Sequence, residues 1–171
     1  MQTFLLSHVD SPLGKIHFIH QDDILYALEF DEFKDRLTQA LTRYSPTAFQ
    51  LVQCETSAIH PLLAAYFLGN LAALDNIIVN PLGTPFQQQV WQALRTIPAG
   101  KTASYGQIAQ QIAKTNGQRA VGMANGKNPI PLVIPCHRVI NHNGQLGGYS
   151  GALWRKEWLL KHENVLILNP N

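Results

Sequence analysis

Apolar and polar positions alternate with a strand-like period at the start of the chain and shift to helical spacing from about residue 32. Residues 3 to 9 and 15 to 20 are apolar-rich and flank Asp10-Ser11-Pro12-Leu13-Gly14, with Pro and Gly where a hairpin turn needs them. Ile16, Phe18 and His20 alternate with His17 and Ile19, the pattern of a half-buried strand. Gln21-Asp22-Asp23 turns the chain into Ile24 to Phe30, so three antiparallel strands are predicted. From Glu32 to Tyr44, the residues Phe33, Leu37, Ala40, Leu41 and Tyr44 recur at helical spacing. A short strand is expected around Phe49 to Val52. Ser57 to Leu68 reads as a helix with Leu62, Leu63, Tyr66 and Phe67 inward, stopped by Gly69-Asn70.

Leu74 to Gly83 reads as a linker with a short extended run at Ile77 to Val79 and a break at Asn80-Pro81-Leu82-Gly83. The boundary placed there gives an α+β chain of two domains: an α/β scaffold with a small antiparallel sheet over 1–80, and a mainly helical domain over 84–171. Thr84-Pro85-Phe86-Gln87 carries the signals of a helix start: a Thr N-cap, Pro at the first position and Gln in the capping-box place. Phe86, Val90 and Leu94 stack one apolar face that Trp91 widens, and Pro98-Ala99-Gly100 ends the element. Ser104-Tyr105-Gly106-Gln107 repeats the capping box, with Ile108 and Ile112 as its ridge. Asn116-Gly117 turns into a second helix, Gln118 to Asn125, ended by Gly126. Two short helices joined by a Gly-containing turn form a helix-turn-helix.

The composition is that of an ordinary globular protein, 46% apolar and 14% charged over 171 residues. No segment approaches the roughly 20 apolar residues of a membrane span, and the first residues lack a signal-peptide pattern, so a cytoplasmic protein is expected. Cys54 and Cys136 stand far apart without CxxC spacing, which signals neither a disulfide framework nor zinc. His17 and His20 fall on opposite faces of a strand, so packed or surface histidines are expected rather than a metal site. The net charge of +2 conceals an asymmetry: residues 1–84 hold 4 Lys/Arg and 9 Asp/Glu, residues 85–171 hold 9 and 2. A basic half joined to an acidic one is the footprint of a nucleic-acid-binding domain on a support.

The candidate chemistry lies in Gly126-Lys127-Asn128-Pro129-Ile130-Pro131-Leu132-Val133-Ile134-Pro135-Cys136-His137-Arg138-Val139-Ile140. Pro135 fixes its own φ and pushes Ile134 toward an extended conformation, so Cys136 is approached rigidly. A free cysteine is ordinarily a small buried hydrophobe; one set between a proline and a histidine suits a placed nucleophile. Adjacent strand residues point to opposite faces, so His137 serves Cys136 only if the chain turns there or a water relays the proton.

This string resembles the active-site segment of the O6-alkylguanine-DNA alkyltransferases, the methylated-DNA–protein-cysteine methyltransferases, in their bacterial Ogt-type form. The resemblance extends from about Thr84 to Glu163. It implies an RNase H-like first domain, a winged-helix-like second one, and repair of O6-alkylguanine in double-stranded DNA by direct reversal, with no metal or cofactor and a monomeric protein. By this resemblance Cys136 accepts the alkyl group and His137 is its base through a water. Glu163 orients His137, Asn128 ties the recognition helix to the cysteine segment, and Tyr105 protonates the leaving guanine at N3. Tyr149, Ser150, Gly151, Val139 and Lys156 make up the substrate-binding set. Arg119 is inserted where the base leaves the stack, on a helix that Ala120, Gly122 and Ala124 keep thin, with Asn125 also on the DNA-binding side. A thin helix with one arginine suits base extrusion better than sequence reading. The rival classes are a helix-turn-helix regulator, which would bind DNA without alkyl transfer, and a cysteine hydrolase, which would turn over repeatedly.

Overall fold

The computed structural model describes residues 1–167 and divides into two compact units, Met1–Gly83 and Thr84–Asn171. In the first, β1 (Gln2–Val9), β2 (Ile16–Gln21) and β3 (Ile24–Phe30) form the expected antiparallel meander. The β2–β3 turn is made by Asp22 and Asp23 at φ 51° and 60°, the left-handed pair that a two-residue hairpin requires. The sheet is mixed rather than purely antiparallel. β4 (Phe49–Gln53) joins β1 in parallel and β5 (Ile78–Val79) joins β3 in parallel, giving the order β4-β1-β2-β3-β5.

Phe4, Ile19 and Ala27 on one face pack with Leu37 and with Leu41 of α1 (Gln39–Tyr44). α2 (Ile59–Phe67) buries Ile59, Leu63 and Tyr66, and its His60 ring packs against Phe18 of β2 at 5.0 Å between centroids. The single helix expected over Glu32 to Tyr44 is instead a 3-10 turn, Asp31–Arg36, followed by α1. The turn buries no residue and Phe33 leaves helical geometry at φ −115°, because only Leu37 and Leu41 have a core to enter.

In the second unit the capping boxes form as expected. Thr84 Oγ1 accepts from Gln87 N at 3.2 Å, opening α3 (Pro85–Arg95), and Ser104 Oγ accepts from Gln107 N at 3.1 Å, opening α4 (Tyr105–Gln111). The helix-turn-helix is completed by α5 (Gln118–Gly126). Its turn needs glycine for space: a Cβ at Gly117 would lie 2.4 Å from Lys114 Cγ. Trp91 of α3 donates from Nε1 to Ala124 O at 2.9 Å, pinning α5 to α3. A short parallel pair, β6 (Ala103–Ser104) and β7 (Val139–Ile140), links the helix-turn-helix to the cysteine segment, and α6 (Leu153–His162) follows. Among the described residues no helix is long and apolar enough to cross a membrane.

Candidate active site

The chain turns at Cys136. Pro135 sits at φ −81°, ψ 65°, the centre of an inverse γ-turn, and Cys136 N donates to Ile134 O at 2.8 Å across it. Cys136–Arg138 then winds into one 3-10 turn before entering β7. Upstream, Asn128 fastens the approach at two points. Its Nδ2 donates to Ile134 O at 2.8 Å and its Oδ1 accepts from Ile130 N at 2.9 Å. Leu132, fully buried, holds φ 75° between them, a left-handed conformation that a branched side chain adopts only when its surroundings impose it.

Cys136 and His137 are both buried. His137 Nε2 lies 2.9 Å from Glu163 Oε1. An ionised carboxylate only accepts, so Nε2 carries the proton and the neutral ring keeps its lone pair at Nδ1. That Nδ1 is buried with no hydrogen-bond partner among the described residues, so its lone pair is available to accept a proton. Burial holds His137 below its ordinary 6.5, against the opposing pull of Glu163 and with help from Arg138 and Lys156. For Glu163 burial works upward, but His137 and Arg138 outweigh it and hold the carboxyl well below the usual range.

Arg138 is the member that sequence reasoning missed. Its Nε donates to Glu163 Oε2 and its Nη2 to Glu163 Oε1, both at 2.9 Å, while Nη1 donates to Ile97 O at 2.6 Å. A two-point fork of this kind fixes the carboxylate plane as well as its charge. The available signal was an arginine directly after Cys-His in an otherwise apolar run. Glu163 itself caps the C-terminus of α6. The loop after α3 reaches it through Gly100, at φ 86°, where a Cβ would lie 3.2 Å from Glu163 O.

Lys156, 0% exposed, donates from Nζ to Val139 O at 2.6 Å and to Gly148 O at 3.0 Å. It therefore ties the strand after Cys136 to the glycine-rich loop. Burial lowers its pKa to about 8 despite the nearby Cys136 charge, so it remains largely cationic at neutral pH. Tyr105, the first residue of α4, is pushed up by burial and then by the same Cys136 charge. A Cβ at Gly122 would meet the Tyr105 ring at 3.8 Å, so the bare backbone of α5 lies close beside that ring. Tyr149 and Ser150 are half-buried and Gly151 is buried, with Gly151 O accepting from Arg155 Nη1 at 2.9 Å. Cys136, His137, Glu163, Asn128, Val139 and Lys156 thus belong to one bonded assembly, with Tyr105 electrostatically coupled to the thiol.

The expected DNA-binding residues divide. Arg119 is exposed, and Ala120 and Gly122 are half-buried. Ala124 and Asn125 are turned inward, at 3% and 6% exposure, because the bond from Trp91 to Ala124 O fixes the phase of α5. The outward stripe consists of Arg119, Met123, Gly126 and Lys127.

Known proteins resemble this chain along nearly its whole length. Residues 85–165 match the family model described as the 6-O-methylguanine DNA methyltransferase DNA-binding domain. A methylated-DNA–protein-cysteine methyltransferase of Salmonella typhimurium is 44% identical over 98% of this chain and 100% of its own length. One from Mycolicibacterium paratuberculosis is 43% identical over 91% and 89%. The crystal structure of Mycobacterium tuberculosis OGT in complex with DNA superposes with a TM-score of 0.77 at 38% identity, covering 93% of this chain and 92% of that one. With that identity sustained along both units, the chain belongs to the methylated-DNA–protein-cysteine methyltransferase family.

Proposed function

We propose that this protein repairs double-stranded DNA by taking the alkyl group from O6-alkylguanine onto Cys136, once per molecule. The observation that carries this reading is the lone pair at His137 Nδ1: buried, unpartnered among the described residues, and backed by a carboxylate that an arginine clamps. A base steered by a third group activates an adjacent nucleophile.

The target base leaves the stack because its O6 substituent is out of reach inside a duplex. His137 Nδ1 takes the Cys136 proton through a bridging water, and the thiolate attacks the alkyl carbon. The S–C bond forms as the C–O6 bond breaks, and its electron pair returns to the guanine, which Tyr105 protonates at N3. Alkylation discharges the thiolate. One of the two causes that hold the Tyr105 hydroxyl up then disappears, so its acidity rises as the leaving group needs a proton. Lys156 positions the Val139 and Gly148 carbonyls around the flipped base, where Tyr149, Ser150 and Gly151 line the pocket. Arg119 fills the vacated place in the stack. The thioether product has no leaving route, so one equivalent of protein is consumed per lesion. The same reading takes the first unit as RNase H-like, the second as winged-helix-like, and the protein as a cytoplasmic monomer acting without metal or cofactor.

Restoration of guanine is read directly from a duplex whose restriction site is blocked by one O6-methylguanine. Cleavage should return in proportion to protein added and stop at one duplex per protein. Repeated turnover, or binding without restored cleavage, refutes the proposal.

A further inference from the structure

The start of α6 is built against the usual rules for a helix. Its N-cap, Ala152, has no side chain that can cap, and it sits at φ 79°, a left-handed conformation strained for a residue with a Cβ. The first turn holds no acidic residue. The cations Arg155 and Lys156 stand there instead, both buried, at the end of a helix where the dipole repels positive charge. Both reach back to the glycine-rich loop. Lys156 Nζ donates to Gly148 O at 3.0 Å, and Arg155 Nη1 donates to Gly151 O at 2.9 Å. Two consecutive residues of α6 thus hold opposite ends of Gly148-Tyr149-Ser150-Gly151, the segment assigned above to the flipped base. Side chains one apart on a helix do not ordinarily meet, yet the Arg155 guanidinium lies over the Trp154 ring, with Cζ 4.6 Å from its centroid. Arg155 is only 6% exposed and Trp154 is 50% exposed, so the ring covers the guanidinium from the solvent side.

We infer that Arg155 is a positioning residue for alkyl transfer and that Trp154 acts through it: the guanidinium, held against Gly151 by the ring, fixes the far end of the lesion-binding loop as Lys156 fixes the near end. The strained Ala152 belongs to the same device, since a left-handed residue with a Cβ persists only when its surroundings impose it. Its N–H donates to Tyr149 O at 3.2 Å and its carbonyl accepts from Arg155 N at 3.1 Å. Released from Arg155, the loop loses the geometry in which the O6 substituent of the flipped base meets Cys136, and a displacement of about 1 Å at a reacting centre slows it strongly. This rests on the DNA-repair reading above and deepens it, naming two residues that set the transfer rate and leave the grip on DNA unchanged.

The test is single-turnover transfer from a duplex carrying one O6-methylguanine, with the full chain in excess and its concentration varied, so that the maximal rate separates from the half-saturating concentration. Arg155→Met should lower the maximal rate about 10-fold, the low end for losing a hydrogen bond from a charged donor. Half-saturation should stay within about 2-fold of wild type, and titration with excess duplex should still reach one methyl per protein. Trp154→Ala should lower the maximal rate about 3-fold, as a partly exposed cation–π contact implies, and Trp154→Phe should match wild type. In Arg155→Met, adding Trp154→Ala should slow transfer no further, because the ring has lost the group it holds. An unchanged maximal rate in Arg155→Met, a loss confined to half-saturation, or a Trp154→Ala effect that persists in full without Arg155 would each overturn the inference. Should Arg155→Met fail to fold, the half-exposed Trp154 decides alone: equal maximal rates in Trp154→Ala and Trp154→Phe overturn it. A wild-type protein that removes no alkyl group from the same duplex would refute the underlying reading instead, whatever Arg155 does.

Discussion

Arg138→Met is the perturbation that reports most on the buried site without touching the nucleophile. The guanidinium makes two bonds to Glu163 and one to Ile97 O, at 2.9, 2.9 and 2.6 Å, and both charged partners are buried. Removing one member of such a pair leaves the other uncompensated, at a cost of about 3–5 kcal/mol. Proton uptake by His137 replaces part of the lost charge, so the low end, about 3 kcal/mol, is expected. For a unit of this size that lowers the thermal midpoint by about 12–24 °C. The charge logic also fixes a direction in pH. Arg138 is among the causes that lower both His137 and Glu163, so both pKa values rise without it. A raised His137 holds its proton to higher pH, where it cannot act as base, and the acidic limb of the transfer rate moves upward. Near-ultraviolet dichroism melts and single-turnover transfer across pH measure the two effects. A midpoint within a few degrees of wild type, or an acidic limb that stays in place in folded protein, would refute the assignment of Arg138 as the clamp.

Further expectations concern the surrounding bonds. Lys156→Met should slow transfer by about 10²-fold and destabilise the fold by about 1–3 kcal/mol, because the buried Val139 carbonyl loses its donor and the part-buried Gly148 carbonyl loses its tie. Lys156→Arg should not restore it, since a planar fork does not fit a site built for a point charge; single-turnover rates and chemical denaturation check both. Asn128→Ala should cost about 1–3 kcal/mol, because the buried Ile130 N–H loses its acceptor while Ile134 O keeps the Cys136 N–H, and should reduce transfer more than it reduces binding to the lesion duplex, as a misplaced Cys136 would. Acidification should destabilise wild type in two stages. His137 is depressed in the fold, so its contribution is complete above the unfolded value of 6.5 and is lost as pH falls toward the folded one. Glu163 is also depressed, so its contribution is complete above 4.5 and erodes below it. Melts between pH 8 and 3 in Glu163→Gln and wild type separate the stages, and a Glu163→Gln protein as acid-labile below 4.5 as wild type would contradict the second.

Local signals carried the elements whose stability is local. The Thr84/Gln87 and Ser104/Gln107 boxes, the Asp22-Asp23 hairpin and the Asn116-Gly117 turn were legible because a few neighbouring atoms decide them. What escaped depends on distant partners. The helix expected over Glu32 to Tyr44 breaks because burial is offered only at Leu37 and Leu41. The parallel edges β4 and β5 are set by which strand ends lie free, and no hairpin turn announces them. In the site, the spacing Pro-Cys-His pointed to a turn or a water relay, and Pro135 supplies the turn through its γ geometry. Arg138 was quoted in the motif without a role, because its meaning lies in Glu163, 25 residues later. Ala124 was expected among the small residues that keep the helix thin and Asn125 on its DNA-binding side; both side chains lie inward. Their phase is decided by Trp91, 33 residues away from Ala124.

The central claim is that Cys136 becomes the permanent home of the alkyl group. Intact mass and peptide mapping after mixing reduced protein with a duplex carrying one O6-methylguanine test it most directly. The account requires a gain of one CH2, on the peptide containing Cys136, saturating at one equivalent and absent from Cys136→Ala. Binding to the lesion duplex by reduced, folded protein with no gain in mass, or a gain that maps to Cys54, would contradict it.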